Sequence, residues 1–320
     1  LKELLSVKGA SGTKPCACCK NVLYRKGEYV IDPYFVDALD PDTSKWDCHT
    51  CQTFADSVDM IKVASAVRGG VFDTLQQSLG IVYDADGLVF DNVLAPQLRV
   101  PECIFWDWQH SLVGSGGIAQ YHVNAFALRL GTAGLTLADL DEFQSSVKHP
   151  SQLGSGLPKT FFRDRVVRKL GCHIKAFASE MILAIAVLGL MADSVVRPTG
   201  TLLPECDSLD HLRLIVDLLK KGYGIRDHLD VLKRELYDHH VTFCTLYPAY
   251  VKGRKWHIMA HIPDCISKFG VSLSAFAPER RHKISKKRAS HCFYRMGCSL
   301  IRGELCAIIS EARAPRTYAH

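Results

Sequence analysis

The sequence predicts an α-rich α/β fold, and three of its features indicate that class. The run Cys103–Trp106 is short, apolar and aromatic, as is typical of a buried strand, and Asp107 follows where that strand should end. Three glycines between residues 114 and 117 then permit a turn into a helical pattern that runs from Ile118 to Leu130. Residues 161–250 have the spacing of long amphipathic helices. A carboxylate at the end of a strand is typical of α/β active sites, although Asp107 also fits a simple turn cap.

The composition is that of a globular protein with room for a substantial core. The chain has 320 residues, of which 48% are apolar and 22% charged, so disorder is not expected. Thirteen cysteines without a recognisable secretory leader indicate a reducing compartment and mostly free thiols. The most apolar run, Met181–Ala192, is too short to span a bilayer, so no membrane partner is expected. Much of the net charge of +6 lies in one segment, Arg280–Arg288.

Three parts are predicted along the chain. They are a partial α/β core over residues 1–135, a helical insertion over residues 136–254 and a C-terminal part of the core over residues 255–320. In the first part, Tyr29–Ile31 has the pattern of a short strand. Thr53–Leu79 has the pattern of helices interrupted at Gly69–Gly70, and residues 80–99 are rich in turn formers.

The predicted insertion begins at Thr136, an N-cap residue type that is followed by acids suited to a helix N-terminus. No strand is expected in this block. Four amphipathic helices follow, separated by proline and glycine: Phe161–Leu170, Ile174–Val195, Ser208–Lys221 and Ile225–Thr245. His211, His239 and His240 are expected on solvated helix faces rather than as metal ligands.

Two pairs of cysteines have the C-x-x-C spacing of metal ligands. Cys16 with Cys19 and Cys48 with Cys51 would supply four thiolates to one tetrahedral zinc ion across a single loop. The alternative is a loop-rich region with inert thiols, because the intervening residues do not resemble a standard zinc ribbon. Both interpretations stay open at this point.

The last part of the chain contains a basic helix that also bears an acid. Pro278 suits its first turn, and Glu279 lies just inside it. Helical spacing places Glu279, His282 and Lys286 on one side, beside a basic stripe. Such a stripe is usually a solvated face, but next to an active carboxylate it suits a phosphate backbone. The candidate nucleic-acid-binding residues are Arg280, Arg281, Lys283, Lys286, Lys287 and Arg288.

Three stretches, in this order, resemble the motifs of one enzyme family. KGASGTKPCACC at residues 8–19 resembles the KG-x-x-(A/P)C-x-x-C loop of eukaryotic DDE transposases of the CACTA, Plavaka and Kyakuja–Dileera–Zisupton groups. The run Asp107-Trp108-Gln109-His110 resembles their D-x-x-H segment. KWHIMAHIPDCISKFG at residues 255–270, followed by ERRH at residues 279–282, resembles their K-x-H-x-x-x-H…FG…E-x-x-H ending. The match covers most of the chain in outline.

The resemblance implies an RNase H-like fold, in which a mixed sheet core is flanked by helices and carries a large all-helical insertion. It also implies two-metal chemistry on DNA phosphodiesters. Asp107 and Glu279 would bind Mg²⁺ or Mn²⁺, and His110 and His282 would orient them or contact the scissile phosphate. DNA is the implied partner and the nucleus the implied location, while homo-oligomer formation is left open.

One feature of the family pattern is missing. The first catalytic Asp of these transposases precedes the cysteine loop, whereas residues 1–15 contain no Asp. Asp32 and Asp37 follow the loop in turn-like contexts and do not replace it. We therefore expect a truncated or inactive transposase domain, with its enzyme status open. The alternatives are a non-catalytic adaptor that binds DNA or chromatin, and a helical protein-interaction scaffold.

Overall fold

The structure is a computed structural model that describes residues 13–24, 34–67, 69–148, 156–167, 173–251 and 255–274. The chain divides into two compact units, Leu1–Leu273 and Ser274–His320. All the helices and strands below belong to the first unit.

Helices make up most of the described residues. Short 3-10 and π segments connect several of them. The α-helices are α1 (Cys51–Ala64), α2 (Gly70–Leu79), α3 (Val100–Cys103), α4 (Ile118–Thr132), α5 (Leu137–Ser146), α6 (Phe161–Asp164), α7 (Ala178–Met191), α8 (Leu203–Lys220), α9 (Leu229–Leu246), α10 (Lys255–Ala260) and α11 (Ile262–Phe269).

The strands described are short and form two separate pairs. Strands β1 (Val22–Leu23) and β2 (Val36–Asp37) are parallel, with Val22 opposite Val36. Strands β3 (Val166–Val167) and β4 (His173–Ile174) are antiparallel. The α/β prediction with an RNase H-like mixed sheet core is therefore wrong, because two isolated pairs of two-residue strands form no central sheet. The protein is helical.

The predicted central strand at residues 103–106 also differs from the structure. Cys103 ends α3, which has Pro101 in its first turn, a position that proline favours. Residues 104–107 are neither helix nor strand, and they pair with no strand among the described residues. The aromatic side chains of this segment pack on helical neighbours instead, as when Phe105 meets Phe269 with ring centroids 5.1 Å apart. Apolar character alone does not distinguish such a segment from a strand.

The predicted helical block is confirmed in outline, with changed boundaries. α7, α8 and α9 correspond to three of the predicted helices, and α8 packs along α9 as the most extensive helix pair. α6 ends at Asp164, where β3 soon follows, so the expectation that this block contains no strand is wrong. The predicted strand at residues 29–31 lies outside the described residues.

The histidines of α9 were expected in solvent and are buried instead. His239 and His240 are 1% and 5% exposed, and Nε2 of His239 lies 2.8 Å from Nδ1 of the buried His122 on α4. Trp256 stacks on His240 with ring centroids 4.4 Å apart. The two imidazoles therefore join α9 to α4 and α10 inside the core.

Among the described residues, one helical run is long and apolar enough to cross a membrane by length and composition. It spans Ala178–Thr199, and half of its most apolar window is buried within the protein. A core helix of a soluble protein meets the same criteria, so this run is weak evidence for membrane insertion.

Candidate metal centre

Four buried side chains from opposite ends of the described sequence meet in one cluster. Cys16 and Cys19 come from the loop before β1, His257 lies on α10, and His261 lies at the junction of α10 and α11. Their ligating atoms all lie within 4.8 Å of one another. We call this group the Cys2His2 cluster.

The distances inside the Cys2His2 cluster suit tetrahedral coordination. The Sγ atom of Cys16 lies 3.0 Å from Nε2 of His257 and 3.6 Å from Nε2 of His261. The Sγ atom of Cys19 lies 3.3 Å from Nε2 of His261. With metal–sulfur and metal–nitrogen bonds of about 2.3 and 2.0 Å, ligand atoms at tetrahedral corners are separated by roughly 3.3 to 3.8 Å. The four residues could therefore hold one metal ion after small side-chain adjustments.

The donor atoms indicate which kind of metal fits. Thiolate and imidazole suit zinc and other transition metals, whereas Mg²⁺ and Mn²⁺ prefer oxygen ligands. The ligand spacings, C-x-x-C and H-x-x-x-H, are those of Cys2His2 sites, although here 237 residues lie between the second cysteine and the first histidine. The centre would thus connect distant parts of the chain rather than organise one small finger.

The cysteine loop is held in place by residues on both sides of β2. Asn21 is buried, and its Nδ2 donates to the carbonyl oxygens of Tyr34 and Lys45, while its Oδ1 accepts from the backbone N–H of Asp47. Cys19 pairs with Cys48 in an isolated antiparallel bridge. Because backbone and side-chain bonds both fix this loop, its two thiols are presented before any metal arrives.

Aromatic rings enclose the histidine side of the cluster. The ring centroid of Trp46 lies 4.2 Å from that of His257 and 4.8 Å from that of His261. Trp106 stacks on His261 at 6.3 Å. These rings keep solvent from the four ligating atoms, and a site closed to solvent is typical of structural rather than catalytic metal centres.

Burial and the neighbouring side chains shift the pKa values of Cys16 and His261 in opposite directions. Burial opposes ionisation of Cys16, but hydrogen bonds from Cys18 and Cys19 and the nearby His257 outweigh it, so the pKa of Cys16 lies well below the usual thiol range. Burial also opposes the charge on His261, yet the sulfur of Cys16 raises the pKa of His261 overall. A metal ion would have to displace the protons held by these groups, because thiols and imidazoles bind a metal in their deprotonated forms.

The other two predicted thiolate ligands lie outside this group. Cys48 is exposed and faces Cys19, and the hydrogen bond from Cys19 lowers the pKa of Cys48 to about 7. Cys51 opens α1, and its Sγ donates to Oε1 of Glu102 at 3.2 Å. The structure therefore brings one predicted pair, Cys16 and Cys19, together with two histidines and not with Cys48 and Cys51, and zinc binding by this group stays a prediction.

The Asp-x-x-His segment lies close to the same elements. Asp107 accepts a hydrogen bond from the backbone N–H of Gln109 at 2.9 Å and pairs with Nδ1 of His110. The ammonium group of Lys255, two residues before His257, donates to the carbonyl oxygens of His110 and Ser115 at 2.7 and 2.9 Å. Lys255, the first residue of the K-x-H-x-x-x-H motif, therefore fixes the segment that follows Asp107.

Several predicted site residues cannot be placed relative to these groups. Glu279, His282 and the basic residues of segment 280–288 lie outside the described residues. Among the residues that are described, only the Cys2His2 cluster brings three or more ligating side chains together, and Asp107 is not part of it. The structure lends no support to a Mg²⁺ or Mn²⁺ site, and the catalytic roles of Asp107 and Glu279 stay predictions.

The chain was compared with models of protein families, with curated proteins and with solved structures, and none of them matches it.

Reasoning from the sequence missed the two histidine ligands. The signal was present, because His257 and His261 have the H-x-x-x-H spacing and precede Cys265 in the motif that resembles the transposase ending. They were not paired with Cys16 and Cys19 because a second C-x-x-C lies much nearer in sequence. Their short distance along the chain favoured Cys48 and Cys51 as partners, whereas tertiary packing brings His257 and His261 to the first cysteine pair.

Proposed function

We propose that this chain is a DNA-binding domain of DDE-transposase type whose helical fold is closed by a structural zinc ion. One observation carries the proposal: the described parts of the three stretches that resemble the transposase motifs, residues 13–19, 107–110 and 255–270, lie together in space. The C-x-x-C loop and the H-x-x-x-H helix share the Cys2His2 cluster, and Lys255 bonds to the segment of the D-x-x-H motif. Unrelated chance matches would have no reason to converge in this way.

The zinc assignment follows from the chemistry of the cluster. Two thiolates neutralise a Zn²⁺ ion, and two neutral imidazoles complete a tetrahedron that aromatic rings shield from water. Cys16, Cys19, His257 and His261 would hold the ion, whose contribution is to fix the cysteine loop against α10 and α11. Metal analysis of protein purified without chelator should find about one equivalent of zinc. Less than half an equivalent, or an unchanged content in Cys16→Ser, would remove this part of the proposal.

DNA binding is supported by the resemblance and by the charge of the sequence. Six Lys or Arg residues lie between residues 280 and 288, and clustered basic side chains bind phosphates by releasing counterions. If all six contacted phosphates, the logarithm of the affinity would fall with the logarithm of salt concentration with a slope of roughly −5, about 0.9 per contact. This function agrees with a nuclear location and with cysteines that stay reduced.

The test replaces these six residues with glutamine and measures DNA affinity at several salt concentrations. We expect weaker binding and a slope that approaches zero. A matched control removes the same charge from exposed lysines of the helical unit, namely Lys62, Lys159, Lys175, Lys220, Lys221 and Lys233. Equal losses in the two variants, or a wild-type slope near zero, would favour the protein-interaction scaffold over DNA binding.

Cleavage of DNA is a second candidate function, favoured by the pairing of Asp107 with His110 after the irregular segment that follows α3. If two metal ions act there, Asp107→Ala and Glu279→Ala should abolish Mg²⁺- or Mn²⁺-dependent nicking while DNA affinity is kept. Asp86→Ala, in an exposed turn, is the control. A wild-type protein that binds DNA but does not nick it with either metal ion would identify a non-catalytic adaptor.

A further inference from the structure

Cys19 and Cys48 occupy directly opposed positions on two antiparallel backbone segments. The backbone N–H of Lys20 donates to the oxygen of Asp47, and that of His49 donates to the oxygen of Cys18, each at 2.7 Å. These bonds flank the two cysteines, which makes them a non-hydrogen-bonded pair with Cα atoms about 4.5 Å apart and side chains close together. Disulfides form across Cα distances of about 4.4 to 6.8 Å, so no backbone movement is needed to join these two thiols.

The two thiols differ in their accessibility. Cys19 is fully buried and belongs to the Cys2His2 cluster, whereas Cys48 is exposed and lies outside that group. Their side chains are within hydrogen-bonding reach of each other. An oxidant from solution would therefore reach Cys48 first, and the nearest partner for an oxidised Cys48 is a metal ligand.

We propose that Cys19 and Cys48 form a reversible disulfide under peroxide and that this bond releases the metal ion. The inference rests on the metal centre proposed above. Attack of the Cys48 sulfur on hydrogen peroxide breaks the O–O bond, leaving a sulfenic acid on Cys48 and one water. The Cys19 sulfur then attacks the Cys48 sulfur, breaking its S–O bond and releasing the second water. The two sulfurs together give two electrons to one peroxide; Cys48 gives up its thiol proton, and because the metal-bound Cys19 thiolate has none, solvent supplies the second proton to the leaving oxygen.

The consequence for the centre is direct. A sulfur in a disulfide no longer carries the thiolate charge that binds the metal, so Cys16, His257 and His261 would be left as three ligands. Cys16 lies three positions before Cys19, so a Cys16–Cys19 disulfide is the competing product. Burial of both those thiols disfavours it, because peroxide has no exposed sulfur to attack in that pair.

The experiment treats purified, zinc-loaded protein with hydrogen peroxide under native conditions. Zinc release is followed with a chromophoric chelator, and disulfide-linked peptides are identified by mass spectrometry. We expect a Cys19–Cys48 linked peptide, zinc release together with the loss of two thiols, and recovery after a dithiol and zinc are added. Cys48→Ser should keep its zinc when purified and release it at least about tenfold more slowly, because the reachable thiol is gone. Cys103→Ser, which removes another exposed thiol, should behave as wild type.

Each other outcome is decisive. A predominant Cys16–Cys19 peptide, equal release rates in wild type and Cys48→Ser, or a Cys19–Cys48 disulfide that forms while zinc stays bound would overturn the proposal. A protein that carries no zinc when purified would refute the metal centre instead. Peptide mapping of that zinc-free protein would still report separately whether the two thiols pair.

Discussion

The imidazole of His261 touches every other member of the Cys2His2 cluster. Its Nε2 atom lies 3.6 Å from Cys16, 3.3 Å from Cys19 and 3.0 Å from Nε2 of His257. His261 also precedes the first residue of α11, so its backbone position is fixed by that helix. A single side chain is thus a shared neighbour of both thiols and of the other imidazole.

Replacing this histidine tests the cluster at the scale of one residue. We expect His261→Ala to lose zinc on purification, because three ligands with one open position hold the ion far more weakly than a closed tetrahedron. The expected loss in affinity is at least the roughly 10- to 100-fold that follows changes to residues around a metal site. Competition with a chromophoric chelator measures it.

His228→Ala is the control, since His228 lies in the 222–228 turn, outside the cluster. Equal zinc affinity in His261→Ala and wild type would mean that His261 is not a ligand. Loss of zinc in both variants would point to a general loss of folding, which circular dichroism of the two proteins would reveal.

At this scale the sequence predicts residue types better than partners. Cys16 and Cys19 carry a local signal, the C-x-x-C spacing, and the structure places both in one cluster. His257 and His261 carry an equally local signal, but which two pairs meet depends on how α10 and α11 pack on the cysteine loop. Spacing along the chain does not show which pairs meet in space, and Cys48 and Cys51, which lie nearer in sequence, were chosen as the second pair.

Helices are the elements that the sequence predicts well. α4 begins at Ile118 as expected, and the break between α1 and α2 falls at Gly69, whose φ of 122° suits glycine. The strand prediction at residues 103–106 fails because a short apolar run has the same pattern in a strand and in a helix end that continues into an irregular segment packed on helices. Only the residues packed around the run distinguish these two structures.

The N-cap of α5 is a prediction that the structure confirms in detail. The Thr136 hydroxyl accepts from the backbone N–H of Asp139 at 3.3 Å, and the carboxylate of Asp139 accepts from the backbone N–H of Thr136 at 2.6 Å. Thr136→Ala removes one of these bonds and should lower the free energy of unfolding by about 1 kcal/mol. Urea denaturation measures it, with Thr132→Ala near the end of α4 as control. A loss no larger than the control's would contradict the capping role.

The packing of α4 on α9 through His122 and His239 predicts a dependence on pH. Burial lowers the pKa of His122 to about 3 and that of His240 to about 4, and it lowers the pKa of His239 well below its usual range. The unfolded chain, with a histidine pKa near 6.5, binds more protons than the folded protein between these values. The stability from neutral histidines is therefore complete above about pH 6.5 and lost as pH falls toward about 4.

His239→Gln isolates this effect, because glutamine keeps a polar partner for His122 and does not titrate. As the pH is lowered from 6 to 4.5, the free energy of unfolding should fall more steeply in wild type than in His239→Gln. The two slopes should differ by up to about 1.4 kcal/mol per pH unit, the limit for one histidine. Carboxylates and metal ligands are the same in both proteins, so their contributions cancel in the difference. Parallel curves across this range would show that His239 does not control the pH dependence.

For the whole molecule, the cluster connects the first described loop to the last described helices. Cys16 and His257 are 241 positions apart, and their side chains meet at 3.0 Å. A metal ion there would hold residues 16–19 against residues 257–261. Its binding free energy would add to the free energy of unfolding of the protein. The α8–α9 pair, by contrast, is held by its own buried leucines and isoleucines.

Chelation should therefore loosen the protein unevenly. With free zinc at roughly a thousand times the Kd, binding stabilises the folded state by about 4 kcal/mol, and a strong chelator removes that contribution. We expect hydrogen exchange to accelerate first at amides of residues 13–24 and of α10 and α11, while those of α8 and α9 keep their protection. Mass spectrometry of exchanged peptides measures both sets in one sample, and added zinc should restore the slow rates. Equal loss of protection in all helices would mean that the metal stabilises the whole core and not only the contact between the cysteine loop and α10 and α11. Unchanged exchange rates would mean that the cluster keeps its structure without metal.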